Sequence, residues 1–83
     1  MLTFIVFSSR NRALRAERLL NQRGIPAQNS PTPRGTGSPC DLSLRIASTH
    51  ASRAWSVLTA ENLAQGVRGM FAQAQDGWQR LRF

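Results

Sequence analysis

The chain has no lysine, one cysteine, one histidine and only four acids. A lone cysteine excludes an internal disulfide, and with a single histidine, His50, beside it there is no ligand set for a structural zinc site. Four scattered acids, Glu17, Asp41, Glu61 and Asp76, form no visible acid–base dyad with that histidine. The stretch "RGTGSP" has neither the lysine nor the following helix of a phosphate-binding loop. No cofactor or metal is therefore expected. Long hydrophobic runs are missing as well. The opening one, Leu2 to Phe7 interrupted by Thr3, falls far short of a bilayer span and has no basic segment before it. It predicts a buried strand and a cytoplasmic protein. There is no repeat, charged tail or composition break, so residues 1–83, with 41% hydrophobic and 18% charged content, are expected to form one small domain around one modest core.

What is abundant is arginine. All eleven basic residues are Arg, giving a net charge of +7 and a pI near 11.9. Guanidinium groups bind carboxylate and phosphate in a bidentate way, so the balance favours acidic partners without choosing among nucleic acid, an anionic ligand and an acidic protein. Arg10, Arg12, Arg15, Arg18 and Arg23 crowd one predicted helix, where a solvated face is the plain alternative to a docking surface.

The pattern reads strand, helix, strand, strand, helix, strand. Leu2 to Phe7 ends at Ser8 and Ser9, both good helix N-caps. From Arg10 to Arg23, Ala13, Ala16, Leu19 and Leu20 form a helical stripe with Leu14 off it, and Gly24 supplies the left-handed stop. Ile25 and Pro26 restart an extended segment whose Pro31 and Pro33 suit an edge strand running into a loop over residues 32 to 39. Leu42, Leu44 and Ile46 alternate with Asp41, Ser43 and Arg45, which predicts a half-buried strand with its even positions inward. Ser48 and Thr49 are expected to cap a second helix that carries Ala51, Ala54, Trp55 and Leu58 on one face, runs to about Gln65 and stops at Gly66. Val67 to Ala74 reads as a strand, and Asp76-Gly77 signals a type I′ turn that folds Trp78 to Arg82 back as a hairpin partner. The simplest layered solution is an α+β, ferredoxin-like β-α-β-β-α-β fold: an antiparallel sheet with two helices on one face.

The one side chain with covalent reactivity at neutral pH is Cys40. A free thiol has a pKa of about 8.5, and positive charge nearby raises its thiolate fraction while burial lowers it. Gly35, Gly37 and Pro39 before it suit an exposed, sharply placed side chain, and Arg34 and Arg45 are close enough in sequence to stabilise an anion. Asp41 works the other way, and strict alternation places Cys40 on the face of Leu42 and Leu44, where it would be a small buried residue. The residues leave both readings open.

The ordered segments "VFSSRNRALRAERLL", "RGIP", "PTPR" and "CDLSLRI" resemble the small selenium/sulfur carrier-like family, from residue 3 to about 72. By that resemblance Cys40 corresponds to the family's signature cysteine, and Thr32, Pro33 and Arg34 to its turn. The chain departs at Asp41, where the family has glycine. The resemblance implies a thiol that takes sulfur or selenium from a donor protein of the cysteine-desulfurase type and yields it to an acceptor. Arg34 and Arg45 would then stabilise the anion, and Arg10, Arg12, Arg15 and Arg18 would dock an acidic partner. Two other classes stand beside it. In an interaction or structural domain, with a homodimer among its forms, Cys40 only packs; this reading draws on a first strand apolar on both faces. An RNA-binding module would use the high pI, but "DLSLRIA" has no aromatic residue for base stacking, and Phe4 and Phe7 point to opposite faces.

Overall fold

The computed structural model describes residues 1–33 and 42–82 of the chain. Strand β1 (Leu2–Phe7) lies at the centre of a five-stranded sheet in the order β2-β3-β1-β4-β5, with β2 (Gln28–Pro31), β3 (Leu42–Ala47), β4 (Val67–Ala74) and β5 (Gly77–Leu81). Every neighbouring pair is antiparallel. Two helices, α1 (Arg10–Gln22) and α2 (Ala51–Ala60), complete the α+β, ferredoxin-like architecture, and β5 is the expected hairpin strand.

Both helices cover one face of the sheet. Ala13, Ala16 and Leu20 of α1 and Ala51, Ala54 and Leu58 of α2 are buried against Ile5 and Phe7 of β1, Leu44 and Ile46 of β3, and Met70 of β4. Leu14 stays 48% exposed, as its place off the stripe requires. Thr3, a buried polar residue, is satisfied by Ser48, their hydroxyls 2.7 Å apart.

Helix α1 starts at its N-cap Ser9, whose Oγ accepts the Arg12 N–H at 3.3 Å. It stops at Gly24, φ +79°, where the Ile25 N–H turns back to the Leu20 carbonyl at 2.9 Å. Asn21 then ties the connection to β2: its amide donates to the Ala27 carbonyl and its Oδ1 accepts the Ala27 N–H, each at 3.0 Å. Glu17 accepts the Asn29 N–H at 2.9 Å and holds the edge strand to the helix.

The second helix differs from expectation at both ends. Ser48–His50 form a 3-10 turn, and α2 proper ends at Ala60 instead of near Gln65. Asn62 takes the left-handed conformation, φ +62°, and the Leu63 N–H bonds the Leu58 carbonyl at 2.8 Å. A short polar side chain tolerates that region, so asparagine does the work expected of Gly66. The β4–β5 turn is also shifted by one residue. Ala74 pairs with Gly77, so Gln75 and Asp76 make the turn; neither has the positive φ a type I′ turn needs, which falls on Gly77 at +130°.

Candidate functional site

Because all pairings are antiparallel, the end of the sheet at which β1 stops is also where α1, β3 and β4 begin and where β2 and β5 finish. The β2–β3 connection leaves and returns there, with Pro31 paired to Leu42. Proline closes β2 without loss because β2 is an edge strand. Arg34, Gly35, Gly37, Pro39, Cys40 and Asp41 lie outside the described residues; Thr32 and Pro33, which lead into them, are half-buried.

Around this end the chain builds a cavity of about 160 Å³, lined by Arg10 of α1, Asn29, Ser30 and Pro31 of β2, and Leu42 of β3. Asn29 Oδ1 and Thr32 Oγ1 are shut from solvent without a hydrogen-bond partner. Buried polar atoms ordinarily have one, so this corner has polar capacity in reserve.

Among the described residues the charge at this end is one-sided. The first turn of α1 contains no acid and carries Arg10 and Arg12. A helix N-terminus is already the positive end of the backbone dipole, so basic side chains there oppose local helix stability by roughly 0.3–1 kcal/mol each and strengthen the attraction for an anion. Arg12 passes close over Gly66: a Cβ there would sit 2.6 Å from its Cδ, so the glycine leaves space for the arginine beside the start of β4. The Ser8 N–H, donating to the Gly66 carbonyl at 2.8 Å, fixes the two segments together. The described acids are engaged elsewhere or remote. Glu17 accepts from Asn29, Glu61 pairs with Arg23 at 2.9 Å, and Asp76 lies in the turn at the opposite end of the sheet.

The other sequence candidates are dispersed. Arg15 and Arg18 are exposed along α1. Arg45 is exposed in mid-strand, three residues beyond Leu42 or about 10 Å along β3, and donates to Gln28 Oε1. Sequence reasoning did not single out Asn29, Ser30 or the role of Gly66. The first two come from a short strand without alternation, and the third depends on a contact between residues distant in the chain. Among the described residues no group of three or more His, Cys, Asp or Glu is placed to hold a metal ion, and no helix is long and apolar enough to cross a membrane.

A comparison with protein families matches residues 3–66, from the start of β1 to the glycine before β4. No curated protein and no solved structure matches the chain. The matched stretch includes Phe7 to Arg12, both strands that flank the Thr32-Pro33-Arg34 turn, Cys40 and Gly66. With that much of its length inside the match, the chain belongs to the family described as "Putative Se/S carrier protein-like".

Proposed function

We infer that the chain carries sulfur or selenium on Cys40 between a donor and an acceptor protein. Family membership supports this reading, and the observation that carries it is that the end of β2 and the start of β3 share one cavity with the arginine-bearing start of α1, through Pro31, Leu42 and Arg10. Covalent connectivity alone keeps the Cys40 Cα within about 7 Å of that of Leu42, a lining residue of the cavity shared with Arg10. Positive charge and a helix N-terminus both favour thiolate over thiol.

The chemistry asks little else of the protein. The Cys40 thiolate attacks the outer sulfur of a donor persulfide, a new S–S bond forms to that sulfur, and the donor's own S–S bond breaks with its thiolate as leaving group. The sum of oxidation states is unchanged, and the carrier holds Cys–S–SH. Selenium follows the same course as Cys–S–SeH. The acceptor thiolate or other nucleophile then repeats the attack on the terminal atom. A persulfide is anionic when ionised, so Arg10, Arg12 and Arg34 would stabilise the loaded as well as the attacking form. An acidic donor surface would be steered toward the same end.

The test is mass spectrometry of the intact protein after incubation with a persulfide-charged donor. The expected result is a gain of one sulfur atom, or one selenium atom from the selenium-charged donor, that maps to Cys40 and is absent in Cys40→Ser. A loaded Cys40→Ser variant, or an unmodified Cys40 in the native protein, rejects the reading.

A further inference from the structure

The face of the sheet away from the helices carries a second, independent constellation. Register places Gln28, Arg45, Phe4, Phe71 and Arg80 directly opposite one another on β2, β3, β1, β4 and β5, one row across all five strands. At normal strand spacing the row is roughly 19 Å wide. Its middle is aromatic and its flanks are arginine.

The aromatic middle is closed by the hairpin. Trp78 meets Phe4 edge to face, with ring centroids 5.0 Å apart, and the Arg80 guanidinium lies over the Phe71 ring at 5.7 Å. Gly69 makes room for that ring, since a Cβ there would approach Phe71 Cε2 to 2.8 Å. What faces outward is therefore planar: a partly exposed indole and an exposed guanidinium, with exposed Gln73 as the cross-strand neighbour of Trp78 and exposed Arg45 on the far flank. At the β4–β5 edge a cavity of about 290 Å³ reaches round to the helix side, lined by Arg68, Arg80 and Arg82 and by Trp55, Met70 and Leu81, which belong to or pack against the helix-covered core. Arg68 is the extra residue of a bulge, because Val6 pairs with Gly69 but Phe7 with Val67.

We propose that this face binds single-stranded nucleic acid, with phosphates on Arg45, Arg80, Arg82 and Arg68 and bases stacked on Trp78 and the Arg80 plane. Charge selects the occupant. A second copy would set Arg45 and Arg80 against their own counterparts, with no acid in the row to offset them. An acidic protein satisfies the arginines and leaves the planar groups unused. A duplex offers phosphates while its bases remain stacked on one another. A single strand uses both kinds of group, since unpaired bases stack on aromatic rings and on guanidinium planes. The proposal does not involve Cys40. Phe71, Trp78 and Arg80 also lie beyond residue 66, where the family match ends.

The test is fluorescence anisotropy with a labelled oligouridine of about a dozen nucleotides, its duplex counterpart and polyglutamate, at salt from about 50 to 200 mM. The single strand is expected to bind roughly tenfold tighter than the duplex, and polyglutamate not to compete. Trp78→Ala and Arg80→Gln should each weaken binding about 5- to 10-fold, in line with the loss of one stacking partner. Arg53→Gln, the same charge change on the helix side, should alter it less than about twofold. Circular dichroism checks that Trp78→Ala is folded, and Arg80→Gln, at an exposed position, keeps the test decisive if it is not. In a Trp55→Phe background, oligouridine should quench Trp78 fluorescence. Equal affinity for duplex and single strand, an Arg53→Gln effect as large as that of Arg80→Gln, competition by polyglutamate, or no binding at the lowest salt each overturns the proposal.

Discussion

On the helix-covered face, Ile5, Phe7, Leu44, Ile46 and Met70 meet Ala13, Ala16, Leu20, Ala54 and Leu58; on the opposite face, Phe4 meets Trp78 and Phe71 meets Arg80, both from the sheet's own hairpin. Both arrangements remove β1 from water. Phe7 is 0% exposed on one side, and Phe4 and Val6 are 8% and 0% exposed on the other. The means differ. Small residues on two helices allow close approach and fill volume, whereas the second face closes by laying long side chains flat on their neighbours. A strand apolar on both faces thus finds cover within its own chain, because β5 supplies the lid.

The largest expected effect that would sharpen this contrast is at the two phenylalanines of β1. Phe7→Ala removes a ring from a space bounded by helices that cannot fully collapse, and should cost about 3–5 kcal/mol in urea unfolding. Phe4→Ala leaves a gap that Trp78 and Arg80 can settle into, so its cost should fall at or below the lower end of that range. Equal costs would erase the distinction between a packed core and a self-made lid.

Glycines give the next effect. Gly69→Ala drives a Cβ into the Phe71 ring and should destabilise by about 1–3 kcal/mol, with a change in the near-ultraviolet circular dichroism as Phe71 and Trp78 shift. Gly66→Ala meets only the flexible Arg12 side chain and should cost less than about 1 kcal/mol. The smallest effect belongs to neither face. Glu61→Gln breaks the pair with Arg23, whose side chains are 47% and 43% exposed, and should change stability by less than about 1 kcal/mol. A larger loss there would mean that this ion pair between the ends of α1 and α2 contributes to stability on the scale of packing.

Local signals explain why much of the fold was readable in advance. The Ser9 cap, the α1 stripe, the Gly24 stop and the alternation of Leu42, Leu44 and Ile46 each depend on residues within a few positions of one another. The end of α2 differs because glycine is the stronger general stop, while here Asn62 takes the left-handed place and Gly66 lies under the Arg12 side chain. The aromatic row could not be read for a different reason. β3 indeed contributes no aromatic residue, but Phe71 becomes a neighbour of Phe4 only through a pairing 67 residues apart in sequence, which no local pattern specifies. At the proposed carrier site, sequence supplied Thr32, Pro33 and the arginines at the start of α1. It could not supply the cavity that Arg10 shares with Asn29, Ser30 and Leu42, since three segments meet there.

The pairing of β5 with β4 has one more consequence. If β5 slipped by a single residue, Trp78 and Arg80 would swing to the helix side together, uncovering Phe4 and Phe71 in one step. Correct hairpin alignment is therefore an all-or-none condition for keeping a greasy surface out of water, and a misaligned hairpin would be the form of this chain most prone to stick to itself.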